Sequence, residues 1–237
     1  ATLSDIGRLC RSLYHVPCSI GLLRNIDTYL CSMLKCSSVR TRITARCNDA
    51  PRGLNTDVSS VSSILHLLAK NKYRDSRSIE CVLAVLHEIP WDDQSKEEVV
   101  ILVDMCWSLL TLHVNARRLD MHLKRLMIQL NNIPLKQLVK LLGGLYNSIG
   151  GTFVTNGNTQ RYEPSGRVPM DDWLGYTINN GAGLPLTNCT FVADACSDYA
   201  QYLGQENEYI YTYIEAMRSM YMRRVEEVTD IQNLSNF

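Results

Sequence analysis

The sequence lacks an excess of charge of either sign. Its 237 residues carry 24 Lys and Arg against 24 Asp and Glu, so the formal net charge at pH 7 is zero. Long-range attraction to nucleic acid or to an anionic membrane needs an excess of positive charge. Whole-chain charge therefore favours neither partner, and only local clusters of cations remain as candidates. A protein without net charge is also less protected against self-association, which favours a subunit of an assembly.

Long apolar stretches are missing as well, and the pattern of a secretory leader is not seen in this sequence. The most apolar run, at residues 99–112, is interrupted by Asp104 and is shorter than the ~20 residues that a membrane-spanning helix needs. No basic segment followed by an apolar run opens the sequence. The nine cysteines are odd in number, and Cys81 and Cys106 fall within apolar helical faces. We therefore expect no membrane span, and reduced thiols in an intracellular compartment, either the cytoplasm or a particle assembled there.

Motifs for catalysis or for binding a cofactor are not found. There is no Gly-x-Ser-x-Gly motif, and Gly143-Gly144 and Gly150-Gly151 are not followed by the Lys-Ser/Thr of a phosphate-binding loop. The cysteines and histidines do not show the paired close spacing of a structural zinc site. We therefore predict no cofactor, no metal and no catalytic residue set.

Acidic residues leave one enzymatic alternative open. Asp92, Asp93, Glu97 and Glu98 cluster together, but they stand at a predicted helix start, where the helix dipole favours acids. Asp104 lies inside the apolar run, and a buried carboxylate must be paired or neutral. A bond to a helix end or to a buried arginine is the structural interpretation of Asp104, and a catalytic acid in a cleft is the alternative.

Helical periodicity is what the sequence has in abundance. Apolar residues recur at steps of three and four in six stretches. These are residues 3–15, 19–36, 58–69, 76–89, 119–130 and 135–149. Residues 99–112 are apolar on every side of a helix, so that helix should be buried and surrounded by others. The predicted fold is mainly α, a multi-helix globular domain around a buried central helix at about 99–112.

Two regions depart from this pattern. Residues 37–56 show little periodicity and predict an extended basic loop, with a short strand at 39–45 as one form of it. β-prone residues flank Asn156-Gly157, a pair that supplies the positive φ angles of a tight turn. We therefore predict a small β-hairpin insertion near 152–162.

These patterns suggest two parts of the chain. Residues 1–149 form a helical domain that includes the basic loop. Residues 150–237 hold the loop and hairpin region and two C-terminal helices, and we expect them to pack on the first part as one unit.

Basic residues form one candidate binding surface. In an extended segment alternate residues point the same way, which would direct Arg40 and Arg42 at one partner. Arginine suits phosphate because its planar donors bind two oxygens together. Together with cations of two helices, the segment predicts a groove for a nucleic-acid backbone, and a solvated loop with wet helix faces is the alternative. The candidate nucleic-acid-binding residues are Arg40, Arg42, Arg46, Arg52, Lys124, Arg125, Lys136 and Lys140.

Tyrosines and methionines form a second candidate surface near the C-terminus. Both residue types are enriched at protein interfaces, and a core lined by tyrosines is the alternative. Tyr211 falls off the inner stripe of its predicted helix, which favours an interface. The candidate interface residues are Tyr202, Tyr209, Tyr211, Tyr213 and Met220.

The leading functional hypothesis is a non-enzymatic helical protein of interaction or assembly. Its partner is protein, either further copies of this chain in a homo-oligomer or a larger assembly. The first alternative is an RNA-binding, nucleocapsid-like subunit that uses the basic loop and helix faces. The second alternative is an enzyme of unknown class that uses the clustered carboxylates.

Overall fold

The chain divides into two compact units, Ala1–His113 and Val114–Phe237, in the computed structural model. The structure describes residues 2–44, 56–73, 75–91, 95–129, 132–149, 153–155, 158–160 and 215. The predicted boundary at residue 149 falls inside the second unit.

The described part of the first unit is built from α-helices, and a hydroxyl residue caps the N-terminus of three of them through its side chain. These helices are α1 (Leu3–Ser12), α2 (Ile20–Lys35), α3 (Ser37–Thr44), α4 (Thr56–Lys70), α5 (Ile79–Glu88) and α6 (Lys96–Thr111). Ser19 and Ser95 cap α2 and α6 by accepting a bond from a backbone N–H of the first turn. At α1 the cap is Thr2, which forms a reciprocal capping box with Asp5.

Helix α6 is the buried helix that the apolar run predicts. None of residues 99–112 is exposed, and Val103, Met105 and Cys106 are wholly buried. The helix is confirmed, but its burial is not complete on every side: Val100, Asp104, Trp107 and Thr111 share one face and are half-buried.

Helix α4 nevertheless occupies the centre of the described part of the first unit. It contacts α1 most extensively, and it also contacts α6, α2 and α3. Ten of its 15 residues are buried, among them Ser60, Ser62 and Ser63. Ser60 and Ser63 satisfy their hydroxyls by donating to the carbonyls of Thr56 and Ser59 in the preceding turn, at 2.7 and 2.8 Å. Small side chains with internally satisfied hydroxyls let other helices approach this helix closely.

The closest approach joins α1 to α4. A Cβ atom at Gly7 would lie 2.7 Å from the Ser60 Cβ and 2.8 Å from the Ser60 Cα, so only glycine fits there. The buried side of α1 is accordingly formed by Leu3, Gly7 and Cys10. Leu9, by contrast, is 44% exposed.

A buried carboxylate joins α2 to the start of α5. Asp27 is 1% exposed, and both its oxygens accept hydrogen bonds. Oδ1 accepts from the hydroxyls of Ser76 and Ser78 at 2.7 and 2.6 Å and from the Ser78 N–H at 3.3 Å. Oδ2 accepts from the Arg77 N–H at 2.8 Å. The carboxylate thereby satisfies backbone and hydroxyl donors just before α5 begins.

The predicted basic loop is wrong for residues 37–44, which form α3. Val39 and Ile43 stand one helical turn apart and are both buried. The hydroxyls of Thr41 and Thr44 donate to the carbonyls of Ser37 and Arg40, four residues back. Two apolar residues in so short a segment are too few to show a period in the sequence, and burial against α2 and α5 selects the helix instead. Residues 45–55 of the predicted loop lie outside the described residues.

The second unit is also helical where it is described. It contains a 3₁₀-helix at Ala116–Leu119, then α7 (Asp120–Ile128) and α8 (Leu135–Ile149). Leu119, Leu123 and Leu126 form a buried stripe at steps of four and three, as predicted. The chain is thus mainly α, with several helices in each unit.

Two short strands follow α8. The strands β1 (Phe153–Thr155) and β2 (Asn158–Gln160) pair antiparallel, with Val154 opposite Thr159. That they form an insertion spanning 152–162 stays a prediction, because the flanking residues lie outside the described part of the chain.

Candidate functional site

Arg40 does not project freely from α3. Its Nε donates to Glu88 Oε2 of α5 at 2.7 Å, and its Nη2 donates to Oε1 of the same carboxylate. This two-pronged pair raises the pKa of Arg40 and holds the pKa of Glu88 below its usual value. Because both side chains are more than a third exposed, the pair contributes little to stability, but it neutralises the arginine.

Arg42 is paired as well, on another side of α3. Its Nε donates to Asp57 Oδ2, in the first turn of α4, at 3.1 Å. Residues two apart on an α-helix point roughly 200° apart, so Arg40 and Arg42 face different neighbours. The prediction that these two arginines point at one partner is therefore wrong, and the reason is the helical backbone.

The other candidate cations are divided between the two units. Lys124 pairs with Asp120 one turn earlier on α7, at 2.7 Å. Arg125 and Lys140 are half-buried, and Lys136 is exposed. Arg46 and Arg52 lie outside the described residues. A common groove between α3 and the cations of α7 and α8 stays a prediction.

The predicted tyrosine-rich interface falls outside the described residues. This holds for Tyr202, Tyr209, Tyr211, Tyr213 and Met220. Helix α7 in the same unit does present an apolar face: Met121 is 54% exposed and Ile128 is 87% exposed. These two residues are seven apart, which places them on one side of the helix.

An aromatic cluster in the first unit is the feature that periodicity did not indicate. The Tyr14 and His66 rings lie 4.5 Å apart, and the His66 and Trp107 rings lie 4.8 Å apart. The Tyr14 hydroxyl donates to the Ser63 carbonyl at 3.3 Å. Burial raises the pKa of Tyr14, and the charge of Asp104 raises it further. Since these groups come from distant points of the sequence, no local motif could have revealed them.

Asp104 lies beside this cluster rather than in the deepest core. It is half-buried on α6, one turn before Trp107. The cluster links the connection after α1 to α4 and α6 through ring packing, which is a structural role. The catalytic alternative for Asp104 stays a prediction.

The thiols differ strongly in environment. Cys36 is exposed, and hydrogen bonds from the Ser38 hydroxyl and from the backbone N–H groups of Ser38 and Val39 lower its pKa. Burial instead raises the pKa of Cys10 and of Cys106 to about 12. Among these three, Cys36 is consequently the reactive thiol.

Neither metal-binding geometry nor similarity to known proteins assigns a role to these side chains. Within the described ranges, no group of three His, Cys, Asp or Glu side chains is arranged to hold a metal ion. No helix in the same ranges combines the length and the apolar character needed to cross a membrane. Comparison of the chain with protein-family models, with curated proteins and with solved structures finds no match. Function has to be argued from the residues of the chain itself.

Proposed function

We propose that this chain is a non-enzymatic helical protein of interaction or assembly, which binds a protein partner or further copies of itself. The observation that carries the proposal is the exposed side of α7, where Met121 and Ile128 face solvent in the same unit as the C-terminal segment. Isolated exposed aliphatic residues are common, but two on one helix face, with Ile128 at 87% exposure, favour a docking surface.

The charges on the same face suit a protein partner. Lys124 lies between the two apolar residues, three after Met121 and four before Ile128, and it is paired with Asp120. A face that combines apolar side chains with an internally neutralised cation resembles the mixture of apolar core and polar rim at protein interfaces. The predicted tyrosine surface would extend it, together with residues 150–189.

The short hairpin supports the same proposal. A two-stranded sheet with strands of three residues is not stable in isolation. Its stability must come from contacts with the rest of the chain or with a partner. This is the reason for including the hairpin region in the proposed partner surface.

Sedimentation velocity across a range of protein concentrations tests the proposal. We expect the sedimentation coefficient to rise with concentration, and Ile128→Ser to weaken that rise. Ile20→Ser is the matched control, because it replaces an exposed isoleucine of the first unit. A strict monomer at high concentration that also captures no protein partner would overturn the proposal.

RNA binding is the second candidate, and α3 favours it in one respect. Side-chain exposures of 41% for Arg40 and 60% for Arg42 leave both guanidinium groups accessible to a phosphate. Each phosphate contact would have to compete with a carboxylate that already holds the arginine. We expect replacement of Arg40, Arg42 and Arg46 by Ala to abolish RNA retention on a filter if the candidate is right. Unchanged RNA retention by this triple variant would refute the RNA-binding candidate.

A further inference from the structure

The connection between α1 and α2 presents aliphatic side chains to solvent. Residues 15–17 and 19–22 are all exposed. Within this run Val16 is 51% exposed, Ile20 66% and Leu22 36%. We call residues 15–22 the exposed connection. Its composition is unusual for a surface turn, since the aliphatic residues are not shielded by neighbours.

Hydrogen bonds hold the exposed connection against the end of α4. The Cys18 N–H donates to Asn71 Oδ1 at 3.2 Å, and the Lys70 Nζ donates to the Tyr14 carbonyl at 3.2 Å. The Asn71 side chain is itself fixed, because its Nδ2 donates to the Leu67 carbonyl at 3.0 Å. The aliphatic residues are therefore held outward by a defined structure. The same bonds bring the C-terminal cations of α4 to the connection.

Positive charge surrounds these aliphatic residues. The exposed cations are Arg11, Arg24, Lys70 and Lys72. No Asp or Glu occurs between Ile6 and Ile26. Arg24 follows Ile20 by four residues on α2, so the two share a helix face. The acids close to this set in sequence are Asp5, which pairs with Arg8, the buried Asp27 and the exposed Asp75. The half-buried Asp104 acts on Tyr14.

The charge pattern selects among occupants. A second copy docked through the same surface would bring like charges together, which is unfavourable. Binding hot spots for protein partners are enriched in Trp and Tyr, yet the exposed connection has no aromatic residue, and the ring of Tyr14 packs on His66. A lipid surface needs only aliphatic side chains to insert and cations to contact its phosphates.

We propose that the exposed connection binds the surface of an anionic lipid bilayer. Val16 and Ile20 would enter the boundary between headgroups and acyl chains, whereas Leu22 lies on another side of α2. The neighbouring cations would contact the lipid phosphates and carboxylates. Because the whole chain has zero net charge, only this group of cations attracts the lipid. Binding therefore requires the first unit to face the lipid with the exposed connection. The inference is independent of the assembly proposal, which concerns α7 and needs no lipid.

Co-sedimentation of the full chain with lipid vesicles tests the inference. The probes are vesicles of phosphatidylcholine alone and of phosphatidylcholine mixed with phosphatidylserine. We expect binding to the mixed vesicles only. Raising the salt from about 0.1 M to about 1 M, which shortens the screening length from about 10 Å to about 3 Å, should weaken it.

Matched variants separate insertion from charge attraction. Arg24→Gln should lower the partition coefficient about fivefold, the effect of one cation near an anionic surface. Ile20→Ser should lower it on the order of tenfold, because the aliphatic side chain no longer inserts. Ile20→Leu is the control and should bind as the wild type does. Both positions, Ile20 and Arg24, are exposed, so we expect the variants to fold, which circular dichroism checks.

Several results would overturn the inference. Equal binding to neutral vesicles would exclude charge recognition, and no binding to either kind would exclude the surface altogether. An unchanged partition coefficient for Ile20→Ser would show that lipid binding lies elsewhere. Retention on polyuridine or polyglutamate that is as strong as binding to the mixed vesicles, and that Ile20→Ser does not change, would show general polyanion binding instead. Lipid-free sedimentation velocity on the same preparations tests the assembly proposal separately.

Discussion

Replacement of Gly7 by alanine tests whether α1 and α4 are packed as closely as the structure has them. The new Cβ would lie 2.7 Å from the Ser60 Cβ and 2.8 Å from the Ser60 Cα. Carbon atoms in favourable contact are about 3.5–4.0 Å apart, so α1 would have to withdraw by about 1 Å. The obstacle is partly backbone, which a change of side-chain rotamer cannot relieve.

The expected cost follows from two opposing effects. Alanine improves helix propensity over glycine by about 1 kcal/mol. Overpacking of a close contact costs about 1–3 kcal/mol, and withdrawal of α1 also loosens the packing of Leu3 and Cys10 on the same side of the helix. We expect a net destabilisation of about 2 kcal/mol. For a chain of this length that corresponds to a fall in Tm of about 4–8 °C.

Gly21→Ala is the matched control. It also lies in a helix, α2, but no atom lies within 4 Å of its Cβ position. We expect it to leave stability unchanged or to raise it by up to about 1 kcal/mol. Thermal unfolding followed by circular dichroism at 222 nm measures both variants.

A second-site variant identifies the source of the effect. Ser60→Gly removes the Cβ and Oγ atoms that the new methyl would meet, so it should restore part of the stability that Gly7→Ala loses. Each change must be compared with Ser60→Gly alone, because glycine itself weakens α4. If Gly7→Ala proves as stable as the wild type, the close approach of α1 and α4 is refuted.

Three further predictions concern individual side chains. Asp27→Ala should lower the free energy of unfolding in urea by about 3 kcal/mol, because it leaves buried donors unsatisfied. The control Asp75→Ala, at an exposed position, should change it by less than about 0.5 kcal/mol. Equal effects of the two variants would contradict the role of Asp27. Iodoacetamide should alkylate Cys36 in the folded protein well before Cys106, as peptide mass spectrometry can measure, and the reverse order would be incompatible with the burial of Cys106. The capping box lowers the pKa of Asp5 from 3.8 to about 2. Its stabilisation of the start of α1 is therefore complete above pH 3.8 and lost as the pH falls through about 2; an NMR titration of the Asp5 carboxyl with a midpoint near 3.8 would contradict this.

Sequence periodicity predicted most of the described helices because their apolar stripes are long. The stripe of Leu119, Leu123 and Leu126 in the second unit is buried as its spacing indicates. The cap of α1 is Thr2, and its Thr-x-x-Asp spacing to Asp5 is the capping-box pattern that distinguishes it from the nearby Ser4. The prediction failed at α3, where Val39 and Ile43 alone carry the apolar face.

The candidate sites were less predictable than the fold. Arg40 and Arg42 are neighbours in the sequence, but their partners Glu88 and Asp57 are distant in it, so their pairing could not be predicted. The contact of Tyr14 with His66 is likewise a product of helix packing. Exposed aliphatic residues such as Ile20 are indistinguishable from core residues when only their spacing is known.

The sequence by itself determined that the described part of the chain is mainly helical and that residues 99–111 lie in an apolar helix, because apolar content and helical period are local properties. Only the tertiary structure decided that α4 rather than α6 is contacted by most helices, that Asp27 is buried, and which aliphatic residues remain outside. The physical reason is that the close approach of two helices depends on the residues of both helices at the point of contact. Gly7 and Ser60 let α1 and α4 meet, but the sequence around a small residue does not indicate which residue of another helix it will contact.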